Sequence, residues 1–443
     1  MQLKLVIIFL FLFLMNSSNL LAADKLAADF LTFEQAGELA LENSHTLASQ
    51  EQIVESAKQE AKAQKVKRYP FLNFEAQSMF VSKIGRFQIP TLGINREVGD
   101  HINWSVGPAL EWTVWDTGQI TKKAKSLEKT TAAQTQNLDY YGRQVLFSAR
   151  SSYIDVQLAK EQVRLVKDAL NLAQAQYSDI LEKKKAGTAD LLDLTVAHQE
   201  VVDRQRDLEE AFGNLALAKR ALVATLGYDP QAESVDALEV QQINQVLNVL
   251  LPQANTQVDI EAHPQVQALA DQQQAYELAA KSSSARHWPK IDMKGTSTFE
   301  YPNLGENITI QQNKLLLNLH LPIFDWGMIS KESRSNKFQA YSTQEQKKQT
   351  MLDLERTTAE IRQRIKTLKG LRIANIKAIN DAVEVARLTY NSYQAGRVIF
   401  LDVQRANVKA LSIKVDSAQT DAELARQISQ LLALAQSKEP SND

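Results

Sequence analysis

The 443-residue chain repeats one long pattern, in which two segments of alternating apolar and polar residues precede a proline-free stretch. Three landmarks carry the repeat: Arg68-Tyr69-Pro70 recurs as His287-Trp288-Pro289, Trp115-Asp116-Thr117-Gly118 as Phe324-Asp325-Trp326-Gly327, and Ala186-Gly187 as Ala395-Gly396. The second and third landmarks keep the same separation of 209 residues. A constant spacing over this length indicates a hairpin whose length is set by geometry. Two copies of one unit are therefore predicted.

The proline-free stretches carry apolar residues at three- and four-residue spacing, which predicts long helices with coiled-coil-like packing. Gly187 and Gly396 interrupt the stretches and are predicted to end the outgoing helix of each hairpin with positive φ. An outgoing helix would be roughly 100 Å long at ~1.5 Å per residue. The predicted helices are 33–68, 119–185 and 189–226 in the first copy, and 261–287, 327–394 and 398–436 in the second.

Four segments alternate with a period of two and predict strands that have one apolar and one polar face. Their bounds are about 71–82, 103–115, 290–301 and 313–324. All five tryptophans lie in these segments or within two residues of their ends: Trp104, Trp112, Trp115, Trp288 and Trp326. Trp104 and Trp112 share an apolar face at a separation of ~27 Å along the strand, or about 20 Å of height after tilting. This separation favours a membrane β-barrel with aromatic girdles over a soluble sheet covered by helices.

Four strands cannot close a barrel, because backbone groups that face lipid must all be paired and the smallest usual barrel has ~8 strands. The barrel must then be shared between subunits, as a dimer, a trimer or a tetramer. An eight-stranded barrel is filled by its own side chains. A conducting assembly therefore favours three or more chains.

Composition excludes several other classes of protein. The formal net charge is −2, so the chain shows no basic excess that would favour nucleic acid as a partner. With no cysteine in the chain, disulfides, thiolate metal sites and lipid attachment through an N-terminal cysteine are excluded. Residues 1–23 have the charge, apolar run and small-residue exit of a secretory signal peptide.

Motifs that would carry chemistry are missing from the sequence. The six histidines show no metal-ligand spacing, and no phosphate-binding loop or nucleophile motif is present. Asp193 and Asp402 occupy equivalent positions near predicted helix starts, where an acidic side chain stabilises the helix dipole. No catalytic residue, cofactor or metal is therefore predicted, and the chain is not expected to be an enzyme.

The order and spacing of the landmarks resemble those of TolC-type outer-membrane efflux proteins over about 30–437. The resemblance implies a mostly α-helical fold with a membrane β-barrel segment: a duplicated helix-strand-strand-helix-helix repeat that forms, as a homotrimer, a twelve-stranded barrel continued by a long helical barrel. It also implies an outer-membrane location in a Gram-negative bacterium, with the helices in the periplasm. The implied partners are a periplasmic adaptor, an inner-membrane transporter and outer-membrane lipid. Without a cysteine, the chain resembles the unlipidated members.

The repeat divides the chain into segments with distinct expected roles. These are a signal peptide (1–23), a first repeat (24–226, with hairpin 119–226), a linker that would belt the tunnel (227–260), a second repeat (261–436, with hairpin 327–436) and a tail (437–443). The loops 83–102 and 302–312 are expected to face the cell exterior, since all helices leave the opposite strand ends.

The predicted function is the passive exit duct of a tripartite efflux or type I secretion system. Two alternatives are an outer-membrane spacer of the coiled-coil or adhesin kind and a periplasmic adaptor subunit. The strands argue against the adaptor, and the duplication argues against a simple spacer. Drugs, metals and proteins are all compatible with the sequence as exported substrates.

The family resemblance implies adaptor docking at the hairpin turns. The predicted contact residues are Ala186, Gly187, Thr188, Ala395, Gly396, Arg397 and Val398. A periplasmic gate is predicted at Asp381 and Glu384, which lie one helical turn apart and would form an acidic ring under threefold symmetry. The equivalent residues of the first repeat, Leu172 and Ala175, are uncharged, and the alternative for the acidic pair is a solvated outer surface.

Overall fold

The computed structural model describes residues 30–89, 91, 93–303 and 306–435. The predicted signal peptide 1–23 and the predicted tail 437–443 lie outside the described residues. The described chain forms two compact units. We call 50–137 with 264–350 the sheet unit, and 30–49, 138–263 and 351–435 the core unit.

The described residues are mostly helical, with two small sheets. The α-helices are α1 (Phe33–Asn43), α2 (His45–Val66), α3 (Gln119–Lys185), α4 (Leu191–Thr225), α5 (Ile243–Leu250), α6 (Pro264–Ala285), α7 (Met328–Gln394) and α8 (Phe400–Ala435). The strands are β1 (Phe71–Phe80), β2 (Gly85–Ile89), β3 (Ile94–Val98), β4 (Ile102–Trp115), β5 (Lys290–Tyr301) and β6 (Ile310–His320). Short 3₁₀ helices span Glu233–Ala237 and Leu251–Asn255.

The four long strands form an antiparallel sheet in the order β1-β4-β5-β6. Its register places apolar residues in rows: Leu72 pairs with Leu110, Leu110 with Gly295, and Gly295 with Leu315. One face of the sheet is therefore apolar across all four strands. Because no other described residue covers this face, its outer leucines and phenylalanine are between 64% and 74% exposed: Leu72, Phe74, Leu315, Leu317 and Leu319.

Ion pairs cross the opposite, polar face of the sheet. Lys294 Nζ on β5 lies 2.8 Å from a carboxylate oxygen of Glu75 on β1 and 3.0 Å from one of Glu111 on β4. Lys314 on β6 contacts Glu300 on β5 at 2.6 Å. Exposed pairs of this kind contribute little stability each. Their positions match the register that puts these charged side chains on one face.

The repeated Asp-x-Gly landmarks start the two longest helices in the same way. Asp116 accepts hydrogen bonds from the backbone N–H of Gly118 (2.9 Å) and Ile120 (2.6 Å). Asp325 accepts the equivalent bonds from Gly327 and Ile329, both at 2.9 Å. A carboxylate thus satisfies N–H groups that the first helical turn leaves without a partner. The turns also place a non-glycine residue, Thr117 or Trp326, at φ near +55°.

Four details of the sequence interpretation are corrected. Helix 33–68 is two helices, because Ser44 adopts an extended conformation and its Oγ accepts a hydrogen bond from Leu47 N. Strand 313–324 is shifted to Ile310–His320, ending before Leu321-Pro322. The loop 83–102 contains the β2–β3 hairpin, and the loop 302–312 ends earlier because β6 already begins at Ile310.

The predicted linker 227–260 forms part of the main apolar core of the core unit. Val246, Leu247 and Leu250 of α5 are at most 2% exposed and belong to the same cluster as Leu424 and Ile428 of α8. The N-terminal segment joins this core through Tyr153, whose hydroxyl donates to Leu31 O (2.7 Å) and accepts from Gln241 N (2.9 Å). The short apolar patch of the linker is therefore a packing element.

Candidate functional site

Both hairpins turn through the same backbone motif, at residues 186–190 and 395–399, which we call the tips. Gly187 (φ +76°) and Gly396 (φ +70°) adopt the left-handed conformation, as the sequence predicts. The N–H of Thr188 bonds Lys183 O and that of Arg397 bonds Ser392 O, both at 2.9 Å. These bonds close a Schellman motif at each helix end. A Cβ would meet no other group at either glycine, so backbone conformation alone favours glycine there.

A small apolar cluster joins the two tips of the core unit. Ile180 and Ala197 of the first hairpin pack with Phe400 and Val403 of the second, and all four are almost fully buried. Phe400 also contacts the ring of Tyr393 edge-on, with centroids 5.4 Å apart. The two hairpins of the repeat therefore share a small apolar core at their tips.

Two tyrosine–aspartate hydrogen bonds reinforce this junction. Tyr390 of α7 donates to Asp179 of α3 at 2.6 Å, and Tyr393 of α7 donates to Asp193 of α4 at 3.0 Å. Lys183 also binds Asp179, at 2.8 Å. The hydrogen bonds from Lys183 and Tyr390 lower the pKa of Asp179, whereas burial, helped by Asp179, raises the pKa of Tyr390 to about 12. The hydrogen bond between Tyr390 and Asp179 therefore persists at neutral pH.

The predicted docking residues lie at the surface of the tips. Ala186, Gly187, Thr188, Ala395, Gly396 and Arg397 are exposed, and Val398 is half-buried. Thr188 is partly committed to its own turn, since its hydroxyl donates to Lys183 O at 3.1 Å. Arg397 makes no ion pair with any described residue.

Exposed apolar side chains accompany these residues and were missed by the sequence interpretation. Leu191 and Leu192 follow the first tip and are 61% and 67% exposed, while Ile399 in the second tip is 60% exposed. In the repeat, Leu191-Leu192 recurs as Phe400-Leu401, which offered a signal, but the first position differs between the copies: Phe400 is buried and Leu191 is not. The first hairpin thus presents exposed leucines just after its tip, and the second presents Ile399 two residues from Arg397.

The two predicted gate residues have different surroundings on α7. Both Asp381 and Glu384 are exposed. Glu384 is bound at 2.6 Å by Arg387, and this hydrogen-bonded pair lowers the pKa of the Glu384 carboxyl. Asp381 has no ion-pair partner among the described residues. The sequence interpretation overlooked Arg387, which stands three residues after Glu384 and was readable as a helical partner.

The five tryptophans lie in the sheet unit, near the strand ends. Trp104 stacks on Tyr301 in the paired strand, with ring centroids 6.1 Å apart. At the end where the helices leave, the Trp112 indole donates to Arg68 O at 2.9 Å, and Trp115, Trp288 and Trp326 are exposed. Aromatic rings therefore stand at both ends of the apolar face.

Neither a metal site nor a membrane-spanning helix is found among the described residues. No three histidine, aspartate or glutamate side chains there converge as metal ligands. Within the same residues, no helix is long and apolar enough to cross a membrane.

Comparison with solved structures identifies the class of fold. The outer-membrane protein VceC of Vibrio cholerae aligns with 91% of this chain and 96% of its own at a TM-score of 0.76 and 15% identity. The outer-membrane channel CmeC of Campylobacter jejuni aligns with 93% of this chain and 87% of its own at a TM-score of 0.75 and 16% identity. The fold is that of these outer-membrane proteins.

Sequence comparison then gives the family. Residues 36–228 and 257–436 match the family described as Outer membrane efflux protein, and this chain belongs to that family. The outer-membrane protein OprJ of Pseudomonas aeruginosa is 24% identical over 387 residues, which cover 84% of this chain and 77% of OprJ. The predicted family and fold class are thereby confirmed. The chain is an outer-membrane efflux protein.

Removing the two tyrosine hydroxyls should loosen the tips. In the variant Tyr390→Phe with Tyr393→Phe, each lost hydrogen bond to a partly exposed carboxylate costs about 1 kcal/mol. Because the double variant loses about 2 kcal/mol, amide hydrogen exchange at the tips should accelerate roughly thirtyfold. Tyr177→Phe is the matched control, because Tyr177 packs against the same cluster and its hydroxyl makes no hydrogen bond with any described residue. Equal exchange in both variants would contradict a role for the two bonds.

Proposed function

We propose that three copies of this chain form one channel, in which their sheets close into a twelve-stranded barrel in the outer membrane. The observation that carries the proposal is the four-stranded sheet, whose edge strands β1 and β6 each have one neighbour among the described residues and whose apolar face is uncovered. In lipid, neither open edges nor an uncompleted barrel is tolerated. Three sheets supply twelve strands, enough to leave a lumen.

The polar face of the sheet would line that lumen, and the apolar face would contact lipid. Trp104 with Tyr301 would then mark one interface, and Trp112, Trp115, Trp288 and Trp326 the other. The long hairpins α3–α4 and α7–α8 would line a tunnel in the periplasm. The channel would serve as the passive exit duct of a tripartite efflux or type I secretion system.

The two alternative functions, an outer-membrane spacer and a periplasmic adaptor, fit the structure less well than an exit duct does. A coiled-coil or adhesin-like spacer has no need for a sheet whose polar face is crossed by ion pairs such as Lys294 with Glu75. A periplasmic adaptor has no use for an uncovered apolar sheet face, which in water would promote aggregation. Membership of the Outer membrane efflux protein family also favours the duct.

We place the contact with a periplasmic adaptor, and through it an inner-membrane transporter, at the tips. The exposed leucines and Ile399 beside an unpaired arginine have the composition of a protein interface, where an apolar centre is combined with a charged rim. The apolar cluster that joins the two tips makes them one such surface per chain, so a trimer would present three. The proposed contact residues remain Ala186, Gly187, Thr188, Ala395, Gly396, Arg397 and Val398.

Acidic substitutions at one tip should abolish export without affecting assembly. Arg397→Glu with Val398→Glu inverts the charge and places a carboxylate among the apolar contacts, which would cost several kcal/mol at a buried interface. Export by cells that carry the cognate adaptor and pump should fall to background while the yield of trimer stays normal. The docking assignment fails if export is unchanged.

A second pair on α8 supplies the matched control. Arg405→Glu with Val408→Glu makes the same changes of residue type on the same hairpin, away from the turn, and the two side chains are exposed. Export should be retained in this control variant. An equal loss from both double variants would point to a general effect of negative charge.

We propose further that Asp381 and Glu384 form the acidic constriction of the channel, with unequal roles. Under threefold symmetry, three unpaired Asp381 carboxylates would attract cations, whereas Arg387 would offset much of the charge of Glu384. The two residues on one face of α7 would form a gate above the tips. The solvated outer surface is the alternative location.

Planar-bilayer recordings distinguish these two locations. Asp381→Ala with Glu384→Ala should lose cation selectivity and block by multivalent cations, whereas Arg387→Ala should raise selectivity by releasing Glu384. Asp353→Ala with Glu360→Ala, earlier on α7, removes the same residue types and should leave selectivity unchanged. Unchanged selectivity in all three variants would contradict the gate and would mean that Asp381 and Glu384 lie on the solvated outer surface. Wild-type protein that does not conduct would contradict the channel itself.

A further inference from the structure

An open cleft of about 590 Å³ lies between α3, α6 and α7 in the sheet unit, just beyond the ends of β4 and β5. Three lysines line it, one from each helix: Lys122, Lys281 and Lys337. Trp288 and Tyr341 supply aromatic walls. The cleft is built by a single chain, and neither the gate nor the tips contribute to it.

The positive charge of the cleft is largely uncompensated. Lys281 and Lys337 make no ion pair with any described residue, and both side chains are exposed. Lys122 donates one hydrogen bond to Thr117 O at 3.1 Å, which leaves two further N–H donors free. Glu277 is the one acidic residue of the lining, and it lies a helical turn farther from the sheet than Lys281. The end of the cleft that is nearest the sheet is therefore cationic.

The lysine cleft is separate from the cleft that faces the polar side of the sheet. Ile120 lines that second cleft, together with Asp292 and Lys294 of the polar face. None of its lining residues also lines the lysine cleft. The three lysines therefore open onto a different surface from the ion pairs of the polar face.

In the membrane position proposed above, the cleft would lie at the depth of a lipid headgroup. Trp288 stands two residues before β5 and is 63% exposed, at the end of the apolar face where the helices begin. Lys281 is seven residues before Trp288 on α6, or roughly 10 Å along the helix. Tryptophan and tyrosine prefer the membrane interface, and lysine side chains extend towards headgroups.

We propose that this cleft binds the phosphate of an anionic glycerophospholipid in the inner leaflet of the outer membrane. The inference rests on the proposed membrane position of the sheet. Three lysines converge on a volume that accommodates a phosphate with its glycerol, and their charge complements a lipid that carries net negative charge. The lipid would bridge α3, α6 and α7 directly below the barrel, where each protomer changes from strands to helices.

Native mass spectrometry of the detergent-solubilised full chain tests the site, with phosphatidylglycerol as the probe. Wild-type protein should retain one phosphatidylglycerol per chain and should not retain phosphatidylcholine under the same conditions. The triple variant Lys122→Gln, Lys281→Gln, Lys337→Gln should bind phosphatidylglycerol roughly a hundredfold more weakly, since each lysine near a lipid surface contributes to anion affinity.

The control variant Lys331→Gln, Arg334→Gln, Lys347→Gln removes three positive charges from α7 outside the cleft and should retain the lipid. Equal loss of phosphatidylglycerol from both triple variants would mean that lipid binds to basic residues around the helices in general, and it would overturn the site. Equal retention of phosphatidylcholine, or displacement of the lipid by excess inorganic phosphate, would overturn it as well. The same spectra report the number of chains, so a monomer that still binds phosphatidylglycerol would uphold the cleft and contradict the trimer.

Discussion

The backbone N–H and C=O groups at the free edges of β1 and β6 need hydrogen-bond partners, and the rest of the structure depends on this requirement. Each edge strand has a row of N–H and C=O groups that its own sheet leaves unpaired. Water could hydrate those groups, but the apolar face of the same sheet is incompatible with water. In the proposed channel, closure with identical sheets in a membrane would satisfy both conditions at once. Subunit assembly would then be a consequence of the strand count of one chain.

In both copies of the repeat, an aspartate begins the long helix that follows the strands and a glycine ends it. Asp116 and Asp325 each hold the first turn of a long helix, and Gly187 and Gly396 each end one. Because these devices fix both ends, α3 and α7 are each 67 residues long. Equal length brings the two tips to the same level, where Tyr390 and Tyr393 reach the aspartates of the other hairpin.

Features with local causes were predictable from the sequence. The bounds of α3 follow from the Asp-x-Gly start and the glycine end, and the single apolar face follows from the period of two. Contacts between distant segments were not predictable. Nothing near Tyr393 in the sequence indicates Asp193, and the apolar patch around Val246 gives no sign that its partner is α8. The break at Ser44 was a local signal that the helical periodicity concealed.

The subunit number of the closed barrel tests the central claim most directly, and the absence of native cysteine makes it accessible to site-specific crosslinking. Cysteines introduced at Asn73 on β1 and Asn318 on β6 lie on the polar faces of the two edge strands. A flexible bis-maleimide applied to the protein in lipid should link chains into dimers and trimers and nothing larger, while either single-cysteine variant stops at two. A ladder that ends at two chains, or continues past three, would contradict the twelve-stranded barrel.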